Sequence, residues 1–202
     1  MRLLITAGPT REPLDPVRYL SNRSSGAMGM ALAAEAVKRG HIVRLVLGPV
    51  ALEPPPGVSV TRVETALEML EAVLELLPGA DAILCAAAVA DYRPASRSAE
   101  KLKRNAIERL ELVENPDIAA AVGARRGNRP SFIFALETSR GLERARAKLE
   151  AKNADLCVLN SPAAIGAERA CYTLVRRDGT TEELDGRSKS ELAARLLSEL
   201  TG

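Results

Sequence analysis

The chain has 202 residues, 28 Lys and Arg against 26 Asp and Glu, and a formal net charge of +2, which excludes a broad field for nucleic acid or a membrane surface. Hydrophobic residues make up 47% but aromatics only 2%, with no Trp, so Ala, Leu, Val and Ile must build the core. Tyr19, Tyr92, Tyr172, Phe132 and Phe134 are too few for a stacking platform on single strands. The expectation is one domain over residues 1–202 that binds a small, local anion.

In chain order, the opening MRLLITAGPT is too short and too soon interrupted for a signal peptide, and no stretch approaches about 18 apolar residues. Short apolar runs then alternate with helix-period segments. LLIT (3–6) reads as a strand, AMGMALAAEAVKR (27–39) as a helix and IVRLVLG (42–48) as a strand. TALEMLEAVLELL (65–77) is a predicted helix and AILCAAAV (82–89) a strand. SFIFAL (131–136), LERARAKLEAK (142–152) and DLCVLN (155–160) repeat the alternation. Fully apolar strands between helices predict an α/β fold, a doubly wound, Rossmann-like and mostly parallel sheet with helices on both faces. CYTLVRR (171–177) and TTEEL (180–184), joined at Asp178-Gly179, predict a C-terminal β-hairpin. Ser188 with Glu191 three residues on predicts a capped terminal helix over 188–200.

Ligands of such sheets bind outside the carboxyl ends of the strands, so three connections matter: Ala7 to Gly26, Ala86 to Lys103, and the stretch around Glu137. The first is far longer than the usual βα loop of about 2–6 residues. Its glycines do not fit G-x-G-x-x-G, and G-x-x-x-x-G-K-[ST] is absent. Ser24, Ser25 and Gly26 stand instead at a helix entry, where free N–H groups suit an anion or where the serines simply cap. In the second connection, Ala86, Ala87 and Ala88 permit close backbone approach and Asp91 offers an acceptor. Lys101, Lys103 and Arg104 form a basic run suited either to solvent or to a polyphosphate. Lys148 and Lys152 share one helix face. Asn115, Pro116 and Asp117 fit a helix entry equally well, and Phe134 reads most simply as core. With a single histidine, His41, and with Cys85, Cys157 and Cys171 far apart, no transition-metal site is expected. Reduced thiols point to a cytoplasmic location.

Together, ITAGPTREPLDPVRYLSNRSSGAMG, AAAVADYRP, EKLKR, ELVENPDI, FALET and SKSEL resemble, in order, the blocks of phosphopantothenate-cysteine ligase, or phosphopantothenoylcysteine synthetase, of coenzyme A biosynthesis. The resemblance implies that 4′-phosphopantothenate is activated by CTP, carried with Mg²⁺, to an acyl-cytidylate and pyrophosphate. Cysteine then displaces CMP. It implies catalytic roles for Asn22, through an amide N–H to the oxyanion, and for Lys101 over the triphosphate. Arg18, Asn22, Ser24, Ser25, Gly26 and Ala87 would bind the acyl substrate. Ala86, Ala87, Asp91, Lys101, Asn115, Pro116, Asp117, Ile118, Phe134, Lys148 and Lys152 would bind the nucleotide, with no metal held by the protein itself. It further implies a homodimer through 171–184 and, since the chain starts at the ligase block, a separate flavin-dependent decarboxylase. Ala27 departs from the family's usual Lys after S-S-G, and SPAAIGAERACYTL lacks the family's pre-hairpin pattern. The competing readings are an NAD(P)-dependent oxidoreductase, which lacks its glycine fingerprint here, and a non-catalytic nucleotide-binding regulator.

Overall fold

A computed structural model of the chain describes residues 1–104 and 109–201. The chain runs through β1 (Arg2–Ala7), a small hairpin of β2 (Arg11–Pro13) and β3 (Tyr19–Ser21), and α1 (Ala27–Lys38). Next come β4 (Ile42–Leu47), β5 (Ser59–Arg62), α2 (Ala66–Leu76) and β6 (Ala82–Cys85). A second small hairpin of β7 (Tyr92–Pro94) and β8 (Leu112–Glu114) leads to α3 (Ile118–Gly123). β9 (Ser131–Leu136), α4 (Gly141–Ala151) and β10 (Leu156–Asn160) precede β11 (Arg169–Arg176), β12 (Thr181–Ser188) and α5 (Lys189–Thr201).

Eight strands form one sheet in the order β12-β11-β10-β9-β6-β1-β4-β5. The six from β5 to β10 are parallel, and β11 and β12 close one end antiparallel. The winding is the predicted Rossmann-like one. The chain moves outward from β1 through β4 to β5, then returns to β6 and moves the other way. Strand β1 shows why its sequence is apolar throughout: Leu3, Ile5 and Ala7 enter the layer with α1 and α5, while Leu4 enters the layer with α2 and α3. A third cluster seats Ala145 and Leu149 of α4 on Ile133, Ala135 and Cys157. A strand covered on both faces has no solvent side to mark with polar residues.

Helix α1 lies close on β1 because Gly29 has no side chain. A Cβ there would stand 2.2 Å from the Ala7 Cβ. Helix α2 starts with a capping box of Thr65 and Glu68. The Ser188 and Glu191 pair does the same for α5, each residue's backbone N–H donating to the other's side chain at 2.7 and 3.2 Å.

The predicted strand 82–89 is shorter than expected, since β6 stops at Cys85 beside Thr6. Beyond it the chain bonds to the loop after β1: Ala86 N–H to the Thr6 carbonyl, Ala87 N–H to Thr6 Oγ1, and Ala88 N–H to the Gly8 carbonyl. Continuous apolarity persists there because these residues line a cleft rather than a sheet. The hairpins β2–β3 and β7–β8 were not predicted. Three residues with a proline, Pro13 or Pro94, give no alternation to read.

Candidate active site

The reversal of winding lies between β1 and β6, and the cleft opens at their carboxyl ends. It has two lobes. The smaller, about 360 Å³, is lined by Thr6, Cys85, Asp91, Asn115 to Ile118, Lys152 and neighbouring residues. The larger, about 690 Å³, runs from Asn22 to Met28 and on to Asn160, Tyr172 and Lys189. Ala87, Ala88, Asp91 and Phe134 line both lobes and form the seam between them.

Asn22 bridges the two loops at this seam. Its Nδ2 donates to the Ala88 carbonyl at 3.1 Å and to the Val89 carbonyl at 3.0 Å. The expectation of an amide N–H free to meet an oxyanion is therefore corrected: both N–H groups are already given to backbone, and Oδ1 is the end left open. Ser24, Ser25 and Gly26 line the larger lobe, as does Ala86. The serines do not cap α1 as ordinary N-caps. Gly26 is the cap residue, at φ 76°, a left-handed conformation that favours glycine. The N–H groups of Met28 and Gly29 in the first turn have no protein acceptor among the described residues, and Met28 lines the lobe. That turn offers donors to an anion.

The smaller lobe collects Asn115, Pro116, Asp117 and Ile118. Asp117 caps α3 through a bond from the Ala120 N–H at 3.0 Å, and Asn115 Nδ2 donates to the Ala90 carbonyl at 2.8 Å. The segment is thus both a helix entry and a cleft wall. Phe134 is half-buried at the seam, where it also packs against the main core cluster.

The basic residues divide. Lys152 lines the smaller lobe, 3.4 Å from Asp117. Lys148 lines neither lobe and binds Glu137 at 2.8 Å, where Arg144 also binds at 2.8 Å. These two cations hold the nearly buried Glu137 carboxyl below its ordinary range. Arg18, expected to face the acyl substrate, lines neither lobe. It donates to Asp15 at 2.5 and 2.9 Å and to the Leu102 carbonyl at 2.9 Å. The cause is Asp15, a buried carboxylate that needs a cation and that the Arg18 guanidinium holds well below the usual carboxylate range. Because Leu102 N–H also bonds Asp15, the pair fastens the Lys101 loop to the β2–β3 hairpin. Lys101 is exposed, outside both lobes, with no carboxylate at ion-pair distance among the described residues.

Arg23, Asn160, Tyr172 and Lys189 are larger-lobe residues that sequence reasoning missed. Only the SKSEL block pointed toward Lys189. Cys85 is on the floor of the smaller lobe and Cys157 is buried; burial pushes both thiols up to about 12, so neither is a ready nucleophile. His41 lines neither lobe. No group of three His, Cys, Asp or Glu residues among the described residues could hold a metal, and no described helix is long and apolar enough to cross a membrane.

Residues 1–202 match the family described as the DNA/pantothenate metabolism flavoprotein C-terminal domain. The chain belongs to that family. It is 49% identical over 165 residues to the coenzyme A biosynthesis bifunctional protein CoaBC of Escherichia coli strain K12, covering 79% of this chain and 41% of that protein. It is 40% identical over 206 residues to a cysteine/cysteine sulfinic acid decarboxylase of an unknown prokaryotic organism, covering 98% of this chain and 57% of the relative. The family member thus spans between two fifths and three fifths of these two relatives. The crystal structure of the C-terminal domain of a CoaBC protein superposes with a TM-score of 0.86 at 40% identity, covering 98% of this chain and 93% of that one.

Proposed function

We propose that this protein ligates cysteine to 4′-phosphopantothenate at the expense of CTP, in coenzyme A biosynthesis. The observation that carries the reading is the divided cleft: two lobes of different lining that meet at Ala87, Ala88, Asp91 and Phe134. A ligase that activates one substrate with another needs such a seam, because a carboxylate oxygen must reach the α-phosphorus of the nucleotide. Membership of the family, and the CoaBC names among its relatives, support the same reading.

In the first step the acid's carboxylate oxygen attacks the α-phosphorus, and pyrophosphate leaves with the electron pair of the broken P–O bond. In the second, the cysteine amine attacks the acyl carbon, CMP leaves, and the amine loses a proton. The smaller lobe takes the nucleotide between Asn115–Ile118 and Phe134, with Lys152 toward its phosphates. Lys101, on its tethered loop, supplies positive charge during activation. The larger lobe takes the acid along Asn22–Met28. Mg²⁺ would arrive with the triphosphate and neutralise part of its charge. The cleft fits that arrangement, since Asp91 is an exposed carboxylate at the seam with no ion-pair partner among the described residues.

Incubation with 4′-phosphopantothenate, cysteine, Mg²⁺ and CTP should release pyrophosphate only when the acid is present. Absence of turnover with both CTP and ATP would sink the proposal, as would nucleotide-independent release of CO₂ from cysteine or cysteine sulfinate. We also propose a homodimer in the cytoplasm. The hairpin β11–β12 turns Tyr172, Leu174, Val175 and Leu184 inward. Large exposed apolar residues gather instead on the small hairpins, at Tyr19, Tyr92, Leu112 and Val113, which favours these as the surface for a second copy.

A further inference from the structure

One wall of the smaller lobe is held by a cation that stands outside the site. Arg93 of β7 is half-buried and lines neither lobe. No carboxylate stands at ion-pair distance from it among the described residues, so its charge is not there to neutralise an acid. Its Nη1 donates instead to the Glu114 carbonyl at 2.7 Å and to Asn115 Oδ1 at 3.1 Å. Asn115 Nδ2 in turn donates to the Ala90 carbonyl at 2.8 Å, and the Asn115 backbone N–H to the Asp91 carbonyl at 2.8 Å. These bonds clip the chain at Ala90–Arg93, which includes the seam residue Asp91, to the chain at Glu114–Asn115. There the wall Asn115–Ile118 begins.

A guanidinium only donates and a carbonyl only accepts. Set between the two, the Asn115 amide has one orientation, with Oδ1 toward Arg93 and Nδ2 toward Ala90. Turned over, it would place Oδ1 against the Ala90 carbonyl and Nδ2 against a cation, losing both bonds. The second N–H on Nδ2 has no acceptor among the described residues, so what this side chain has left for the lobe it lines is a donor. On the ligase reading, on which this inference rests, the occupant of that lobe is a nucleotide, whose base, sugar and phosphates all carry acceptors. We infer that Arg93 is a positioning residue for nucleotide binding. It touches no substrate; it fixes the Asn115 amide and the first residue of the wall relative to Asp91, and so sets the affinity for CTP.

The test compares wild type with Arg93→Ala, Arg93→Lys, Asn115→Ala and the Arg93→Ala/Asn115→Ala double variant in the pyrophosphate-release assay. Arg93→Ala should raise KM for CTP about 10-fold, the scale of a lost hydrogen bond from a charged donor. It should leave KM for 4′-phosphopantothenate unchanged and kcat at saturating CTP within about twofold, and Arg93→Lys, which keeps a charged donor, should recover part of the loss. In the Asn115→Ala background, Arg93→Ala should add little, because the two residues act as one unit. An unchanged KM for CTP, an equal rise in both KM values, or fully additive losses would overturn the inference and leave Arg93 a support for the hairpin alone. Should Arg93→Ala not fold, Arg93→Gln carries the same comparison. Calorimetry with CTP and Mg²⁺ reads the role independently of turnover: weaker binding to Arg93→Ala supports it and an equal Kd overturns it. If that binding is weakened yet wild type releases no pyrophosphate with CTP or ATP, the ligase reading fails and the positioning role stands.

Discussion

Asn22 shows how far a residue's type constrains its work. An asparagine in a loop can donate or accept, and here both donors go to the carbonyls of Ala88 and Val89. A carboxylate in its place would face two carbonyl oxygens with no proton to offer. Asn22→Asp should slow amide formation about 10- to 100-fold, at least as much as Asn22→Ala, while acid activation falls less. Quenched time courses that separate pyrophosphate release from amide product check this; wild-type amide formation in Asn22→Asp would remove the clamp from the mechanism. Lys148, Lys152 and Arg18 were visible in the sequence as cations near the ligand edge. Their partners Glu137, Asp117 and Asp15 were not recognisable as such, because two of the pairs form only when a helix packs against its strand or neighbouring helix.

The principal helices and strands of the sheet were legible because their periods differ and their lengths suffice. The small hairpins were not, and they carry part of the site: β2–β3 follows the first strand, and the β2–β3 connection supplies Asp15, which fastens the Lys101 loop. The seat of α1 on β1 is similarly specific. Gly29 could be read only as a weak point in a helix, yet it sets the approach of α1, with a Cβ placed 2.2 Å from Ala7 Cβ. Gly29→Ala should destabilise the protein by about 1–3 kcal/mol, the usual cost of overpacking, seen as a lower urea midpoint at unchanged slope. An unchanged midpoint would mean that the helix moves away without cost. Because α1 begins at the Ser24–Gly26 turn, the same variant should also weaken binding of the acid.

The closing hairpin and the last helix are held together by charge as well as by the core. Glu182 of β12 binds Arg195 of α5 at 2.7 Å and Arg176 of β11 at 2.6 Å, and Arg176 also binds Glu199. Arg195 first, then Arg176, holds the Glu182 carboxyl down at about 2, from 4.5. A group with a lowered folded value stabilises the native state above its unfolded value and loses that contribution as the pH falls toward its folded value. Stability should therefore decline as pH drops from about 4.5 to 2, and Glu182→Gln should flatten that part of the profile in urea titrations; an identical profile would place the acid sensitivity elsewhere. By itself the sequence determined the class of sheet, since strands buried on both faces must be apolar throughout and that pattern reads locally. It also displayed the basic and serine-rich loops. Only the tertiary structure decided which of them meet, because the seam depends on contacts such as Asn22 to Ala88, 66 residues apart, and no local period encodes such a pairing. It likewise divided the expected cations, pairing Arg18, Lys148 and Lys152 with Asp15, Glu137 and Asp117 and leaving Lys101 without such a partner among the described residues, since whether a carboxylate lies within reach is a property of the folded chain.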